Sequence, residues 1–215
     1  MLVKPTVYDG SLQRQVFPGD IVAGGELIPA TDSGTTKSIT AAVLAYGYIL
    51  RNPGAAGTDT IDTAANLIAG LQAGLGTSGI PNGTTFKVRW IVTTANAVTV
   101  QATANTGVTV NRGTVAASTA KDFLVTINNG TPAQTFQMNT TNASAVVTGL
   151  SAAQAALLTP GMIVTNAVNG LQGTTILAVN ASAGSVTLSG NANATSTTPV
   201  AVSFSPVVTL DGLAA

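Results

Sequence analysis

The sequence predicts an all-β protein: an antiparallel β-sandwich or barrel with one or two short helices, an extended N-terminal arm and an inserted small β-module. Three observations lead there. Apolar residues recur at period two, most clearly where Phe86, Val88, Trp90 and Val92 alternate with Lys87, Arg89 and Ile91, the pattern of a half-buried strand. Similar short runs follow at about 8–12-residue spacing, bounded by Gly, Asn, Thr and Pro, as in sandwiches and barrels. Thr, Ala, Gly, Asn and Val dominate the chain, a mixture that favours strands and turns over helices.

Taken in order, residues 1–34 read as an arm. Pro5, Pro18 and Pro29 punctuate it, Gly24 and Gly25 loosen it, and no periodic pattern persists. An arm of this type lies on another surface or another subunit; a frayed terminus is the alternative. The N-terminus has no apolar core segment, so no signal peptide is expected. The apolar run from Ile39 to Leu50 is too short to span a bilayer. Within it Tyr46, Tyr48 and Leu50 alternate as a strand would, and Asn52-Pro53-Gly54 stops it.

Residues 62–75 predict a helix. Asp62 is placed as its N-cap, with a carboxylate facing free backbone N–H groups. Ala64, Leu67, Ile68, Leu71 and Leu75 form one apolar stripe, and Gly74 and Gly76 close it. Gly70 costs the helix up to about 1 kcal/mol, so it relies on docking. Beyond Pro81-Asn82-Gly83 comes the strand anchored by Trp90, then strands over 97–103, 107–111 and 123–127, the last led by Phe123.

Residues 133–204 carry no Asp, Glu, Lys, Arg, His, Cys or Tyr. Extended pieces are expected at 136–138 and 145–147. Ser151 and Gln154 form a capping-box pattern that opens a short helix through Leu158, ended by Pro160-Gly161. Strands follow near 162–167, 174–179, 185–188 and 200–204, with turns at Asn169-Gly170 and Ala183-Gly184. A last strand covers 206–210.

The composition narrows the function. Charged residues make up 7% of the 215, with eight bases against eight acids; a usual share is about 25%. A neutral surface of positive mean hydropathy suits a subunit held in an assembly better than a free monomer. There is no Cys and no His, which removes thiolate ligands and the commonest general base. Asp59 and Asp62 flank the predicted helix start, but a Ca²⁺ site takes about 6–8 oxygens and no further acid is nearby; N-capping and the helix dipole explain both. Ser118 and Lys121 match a bare Ser-x-x-Lys pattern without its companion motifs, and they precede a strand. The Gly74–Gly79 stretch lacks the Gly-Lys-Ser/Thr of a phosphate loop. Lys87, Arg89, Arg112 and Lys121 make at most a small basic patch, weak for nucleic acid. No catalytic, cofactor or metal residue is expected; the residues singled out are structural: Asp62, Leu67, Ile68, Leu71, Phe86, Trp90 and Phe123.

Two sets of phrases resemble known families. Asp62-Thr-Ala-Ala-Asn66, Gly83-Thr-Thr-Phe-Lys-Val-Arg-Trp90, Gly113-Thr-Val and Asp122-Phe-Leu-Val-Thr-Ile127 are similar to a β-rich module of tailed-bacteriophage virion proteins, which include capsid decoration (cement) and head-fibre proteins. Leu158-Thr-Pro-Gly-Met162, Gly173-Thr-Thr-Ile176 and Ser185-Val-Thr-Leu188 resemble a small β-module of phage fibre and surface proteins. In the first family a Ser/Thr-Pro-x-Val-Thr-Leu strand closely follows the "FLVTI" strand. Here Ser205-Pro-Val-Val-Thr-Leu210 fits only after 133–204 intervene, so that stretch is read as an insert, with 35–132 plus 205–215 forming the main β-domain. A tandem arrangement, with Phe136–Met138 as the missing strand, is the alternative.

The resemblance implies a virion protein on the outer capsid surface. It would bind the major capsid protein, associate with itself as a homotrimer and bridge capsomers. From the residues themselves, no cofactor, nucleic acid or membrane partner is expected. The alternative is a fibre or adhesin module binding host-surface glycan, for which Phe136 and Phe204 are the aromatic candidates in the insert.

Overall fold

The computed structural model describes residues 33–45 and 47–214, together with the backbone of a short strand pair, β1 (Val7–Asp9) and antiparallel β2 (Arg14–Val16). The rest of the expected arm, and Tyr46 of the expected strand, lie outside the described residues. From Thr36 onward the chain crosses repeatedly between two sheets: β3 (Thr36–Ile39), α1 (Ala41–Ala45), β4 (Tyr48–Arg51), β5 (Gly57–Ile61), α2 (Ala64–Leu75), β6 (Thr85–Val92), β7 (Val98–Ala102), β8 (Val108–Asn111), β9 (Thr114–Val115) and β10 (Ala120–Asn129). One sheet runs β3-β5-β7-β9. The other runs β4-β6-β10-β17-β8, where β17 (Val207–Gly212) is the last strand of the chain.

The all-β class with few helices holds, but two details are corrected. The sheets are mixed: β3 with β5, β5 with β7, β4 with β6 and β17 with β8 are parallel. Alternation between sheets explains three of these pairs. A strand reached by crossing to the other sheet and back starts from the same end as its neighbour, whereas a hairpin reverses direction. In addition, an apolar segment before Tyr48 forms helix α1, which packs on α2.

Both sheets and both helices share one core. Ile39, Ile61, Val98 and Val100 face Val88, Trp90, Phe123, Val125 and Leu210, and the α2 stripe of Leu67, Ile68 and Leu71 seals one side. All three α2 residues are buried as expected, as are Trp90 and Phe123; Phe86 is half-buried against the same core. The docked helix tolerates Gly70 for a steric reason: a Cβ there would come within 2.5 Å of the Ala41 Cβ on α1.

Gly107 ties β17 into this frame. Its φ is +77°, in the left-handed region, and its carbonyl accepts the Val208 N–H at 2.9 Å. A Cβ would overlap the Pro206 carbonyl and approach the Ala64 Cβ at 2.9 Å. Gly107→Ala is therefore expected to destabilise by more than about 1 kcal/mol in chemical denaturation; an unchanged midpoint would contradict this account of how the last strand is seated.

Residues between β10 and β17 have a second hydrophobic cluster of their own, including Met138, Val147, Met162, Ile176, Val186, Leu188, Val202 and Phe204. Its strands are β11 (Gln134–Met138), β12 (Val146–Thr148), β13 (Ile163–Val164), β14 (Ile176–Asn180), β15 (Ser185–Leu188) and β16 (Val200–Ser205), with α3 (Ala152–Ala155) between β12 and β13. Two three-stranded sheets, β11-β16-β13 and β12-β15-β14, are joined by antiparallel bridges at Asn139–Thr148 and Ile163–Thr175. The six strands thus form a closed ring, which leaves little open edge for stray pairing. The capping box at Ser151 and Gln154 is present at the start of α3.

Asn129, 1% exposed, sits where β10 leaves the first core. Its side-chain amide donates to Thr159 Oγ1 and the Pro160 carbonyl at 3.0 Å each, and its Oδ1 accepts the Thr131 N–H at 2.9 Å.

Candidate functional site

The residues raised as candidate chemistry do not come together. Asp59 and Asp62 part company. Asp62 precedes α2, but Thr63 is the N-cap, its hydroxyl accepting the Asn66 N–H at 3.2 Å. Asp62 instead supports the cap, its Oδ1 accepting from the Thr63 N–H at 2.7 Å and the Asn66 side-chain amide at 2.8 Å. The N-cap therefore lies one residue later than expected.

Asp59 has nothing to do with the helix end. It points into the core from β5, fully buried, where it meets the fully buried Arg51 of β4. Arg51 Nε lies 2.8 and 3.1 Å from the two carboxylate oxygens, and the Trp90 indole N–H donates to Asp59 Oδ2 at 3.0 Å. An Arg51 terminal nitrogen donates to the Gly34 carbonyl at 2.9 Å. Burial pushes the Asp59 carboxyl above its ordinary range, opposed by the Trp90 hydrogen bond and by Arg51. The folded chain thus releases this proton less readily than the unfolded one. Asp59's contribution to stability is greatest in acid and declines as pH rises past the ordinary carboxyl value.

Sequence reasoning missed this cluster. A signal existed: in Gly57-Thr-Asp-Thr-Ile61 the odd positions alternate with threonines, which is a strand pattern that turns Asp59 inward.

The Ser118 hydroxyl donates to the Thr94 carbonyl at 3.1 Å, and the Lys121 ammonium donates to the carbonyls of Arg112 and Thr114. Each of the two side chains is engaged with backbone carbonyls. Lys121 also lies 5.7 Å from the centre of the Phe123 ring, whose other contact is an edge-to-face approach to Trp90 at 4.7 Å. Of the four bases proposed as a patch, Arg89 pairs with Asp122 on the neighbouring strand at 3.2 Å. Arg112 and Lys121 line an open hollow of about 360 Å³ with Thr114, Thr119 and Leu213. Among the described residues no three His, Cys, Asp or Glu side chains group as metal ligands would.

What the fold does organise is surface. On the outer side of the five-stranded sheet, strand register places Arg89 between Tyr48 and Asp122, and Leu124 between Lys87 and Asp211. A row of threonines, Thr85–Thr126–Thr209–Thr109, crosses the same side. The four-stranded sheet differs. Its outer rows are Thr36–Thr58–Thr99–Thr114 and Ser38–Thr60–Gln101. These seven side chains are exposed or half-buried, and none is charged.

In the ring, Phe204 is buried and Phe136 half-buried against the ring's core, so neither presents an open aromatic face. Its exposed apolar side chains are Val146, Leu157 and Leu177. No family model, curated protein or solved structure matches this chain.

Proposed function

We propose that this chain is a virion structural protein of a tailed bacteriophage, a decoration or cement subunit that binds the outer surface of the major capsid protein as a homotrimer. The observation that carries the reading is one strand pair. The Asp122-Phe-Leu-Val-Thr-Ile127 phrase lies in β10, and Val207-Val-Thr-Leu210, after Pro206, lies beside it in β17, with Val125 opposite Leu210 and Ile127 opposite Val208. Two phrases that resemble one phage module, far apart in the chain, are neighbours in one sheet.

The mechanism is mechanical. Hydroxyl, amide and backbone groups supply many modest hydrogen bonds while few charges need desolvating. Each interface of standard size buries about 1,200–2,000 Å², and a subunit touching several capsomers at once gains avidity without new contacts. Pulling capsomers apart then requires breaking all of its contacts together.

A glycan-binding fibre module is the weaker reading, because the two aromatic rings that would stack on a sugar are engaged in the ring's core. Deleting residues 1–30 is expected to weaken binding to undecorated capsids at least tenfold while shifting the thermal midpoint little. Retained binding by the shortened chain would contradict a role for the N-terminal segment in attachment.

A further inference from the structure

We infer that the hollow bordered by Arg112 and Lys121 is an anion site that takes a carboxylate on a short aliphatic body, with the Arg112 guanidinium as its clamp. The hollow is built on strands. Thr114 belongs to β9, Ala120 and Lys121 open β10, and Arg112 and Leu213 follow directly on β8 and β17. The Leu213 N–H donates to the Asp122 carbonyl at 2.8 Å, which fixes the chain beyond β17 against β10. Sites carried by strands hold their geometry better than sites on loops. The volume of about 360 Å³ falls within the roughly 300–1,000 Å³ of ligand pockets.

The backbone around it is unusual. Two of the five described non-glycine residues with positive φ sit on its rim. They are Arg112 at 52° and Ser118 at 51°, the latter between the lining residues Ala116 and Thr119. Few residues with a Cβ adopt this conformation, and those that do gather at ligand sites.

Charge gives the class of ligand. Two cations line the hollow and no acid does. The acids next in sequence are engaged elsewhere: Asp122 pairs with Arg89 at 3.2 Å, and Asp211 accepts from the Asn111 side-chain amide at 2.6 Å. Lys121 is fixed in place by the Arg112 and Thr114 carbonyls. Gly212 leaves it room, since a Cβ there would lie 3.0 Å from the Lys121 Nζ. Lys121 thus supplies a standing positive charge. Arg112 differs: among the described residues its guanidinium has no hydrogen bond or ion pair. A planar fork of donors beside a fixed ammonium matches an oxyanion. The remaining wall includes Ala116, Ala120 and Leu213. That apolar surface accepts an aliphatic body but cannot satisfy the hydrated oxygens of phosphate. A free small acid and a glutamate side chain on a neighbouring protein offer the same group.

Titration of the isotope-labelled full chain at constant ionic strength, followed through its amide resonances, tests this with three probes: butyrate, the blocked peptide acetyl-Gly-Glu-Gly-amide and inorganic phosphate. Butyrate is expected to give saturable shifts confined to residues 112–121 and 212–214. Arg112→Asn, chosen because Asn tolerates a left-handed backbone, is expected to weaken binding at least tenfold. Arg112→Lys keeps the charge without the fork; it is expected to fall between the two, and it serves alone should the Asn variant fail to fold. Lys87→Gln removes an exposed charge outside the hollow and is expected to change nothing. Peptide binding at least as tight as butyrate would assign the site to an acidic side chain of a neighbour, and butyrate binding alone to a free acid. Saturation by neither, tighter binding of phosphate, full binding by both Arg112 variants or equal loss in Lys87→Gln would overturn the carboxylate site.

Discussion

Asp59→Asn is expected to destabilise the protein by about 3 kcal/mol, the cost of leaving a buried hydrogen-bond donor of a charged group facing no acceptor. The substitution keeps the shape and an oxygen for the Trp90 N–H, but it sets an amide N–H against Arg51 Nε, which donates to the carboxylate at 2.8 Å. Arg51 has no side-chain exposure and cannot shed its proton. Arg51→Met/Asp59→Leu removes both charges at once, and apolar replacements of buried ion pairs are often neutral or stabilising. The double variant is therefore expected to be more stable than Asp59→Asn, despite losing the other partners of Arg51, the Gly34 carbonyl among them. Urea midpoints for the three proteins decide it. A double variant that is the least stable of them would show that the pair contributes net stability beyond mutual compensation.

Trp90→Ala is expected to cost a similar amount, about 3–5 kcal/mol, from lost apolar contact and the cavity left behind. Trp90 is fully buried between the sheets, meets Phe123 edge-to-face and donates to Asp59. Trp90→Phe separates these contributions: it keeps most of the ring and loses the N–H donor, so about 1–3 kcal/mol is expected for the unsatisfied Asp59 oxygen and the reduced volume. If alanine and phenylalanine cost the same, the hydrogen bond and not the packing would dominate at this position.

Strand positions were legible because period two survives wherever one face is buried. The inward set Val88, Trp90 and Val92 was read directly, as were the α2 stripe and the Ser151 capping box. Partners were not legible. Local sequence does not encode which strand lies beside which, so the crossing between sheets and the parallel pairs it creates appeared only in the structure. The short strands β3 and β5 escaped because Thr, Ser, Lys, Gly and Asp fill most of them, and polar side chains blur the apolar rhythm; β9 is only two residues long. Helix α1 was hidden for the opposite reason: five apolar residues in a row carry no period. The buried Arg51–Asp59 pair was not legible because Asp59 stands close to Asp62 and reads with the helix start, while its partner lies on another strand. The neutral face was invisible for a related reason, since its threonine rows are built from four separate strands.

The claim on which the rest depends is that this chain works by holding neighbours in a particle. Density-gradient fractionation of phage particles, followed by detection of this chain in each fraction, addresses it most directly. The account predicts that the chain bands with DNA-filled heads in fixed proportion to the major capsid protein and is released as an oligomer when the heads are dissociated. Recovery of the chain only at the top of the gradient, with heads intact and free of it, would contradict the account.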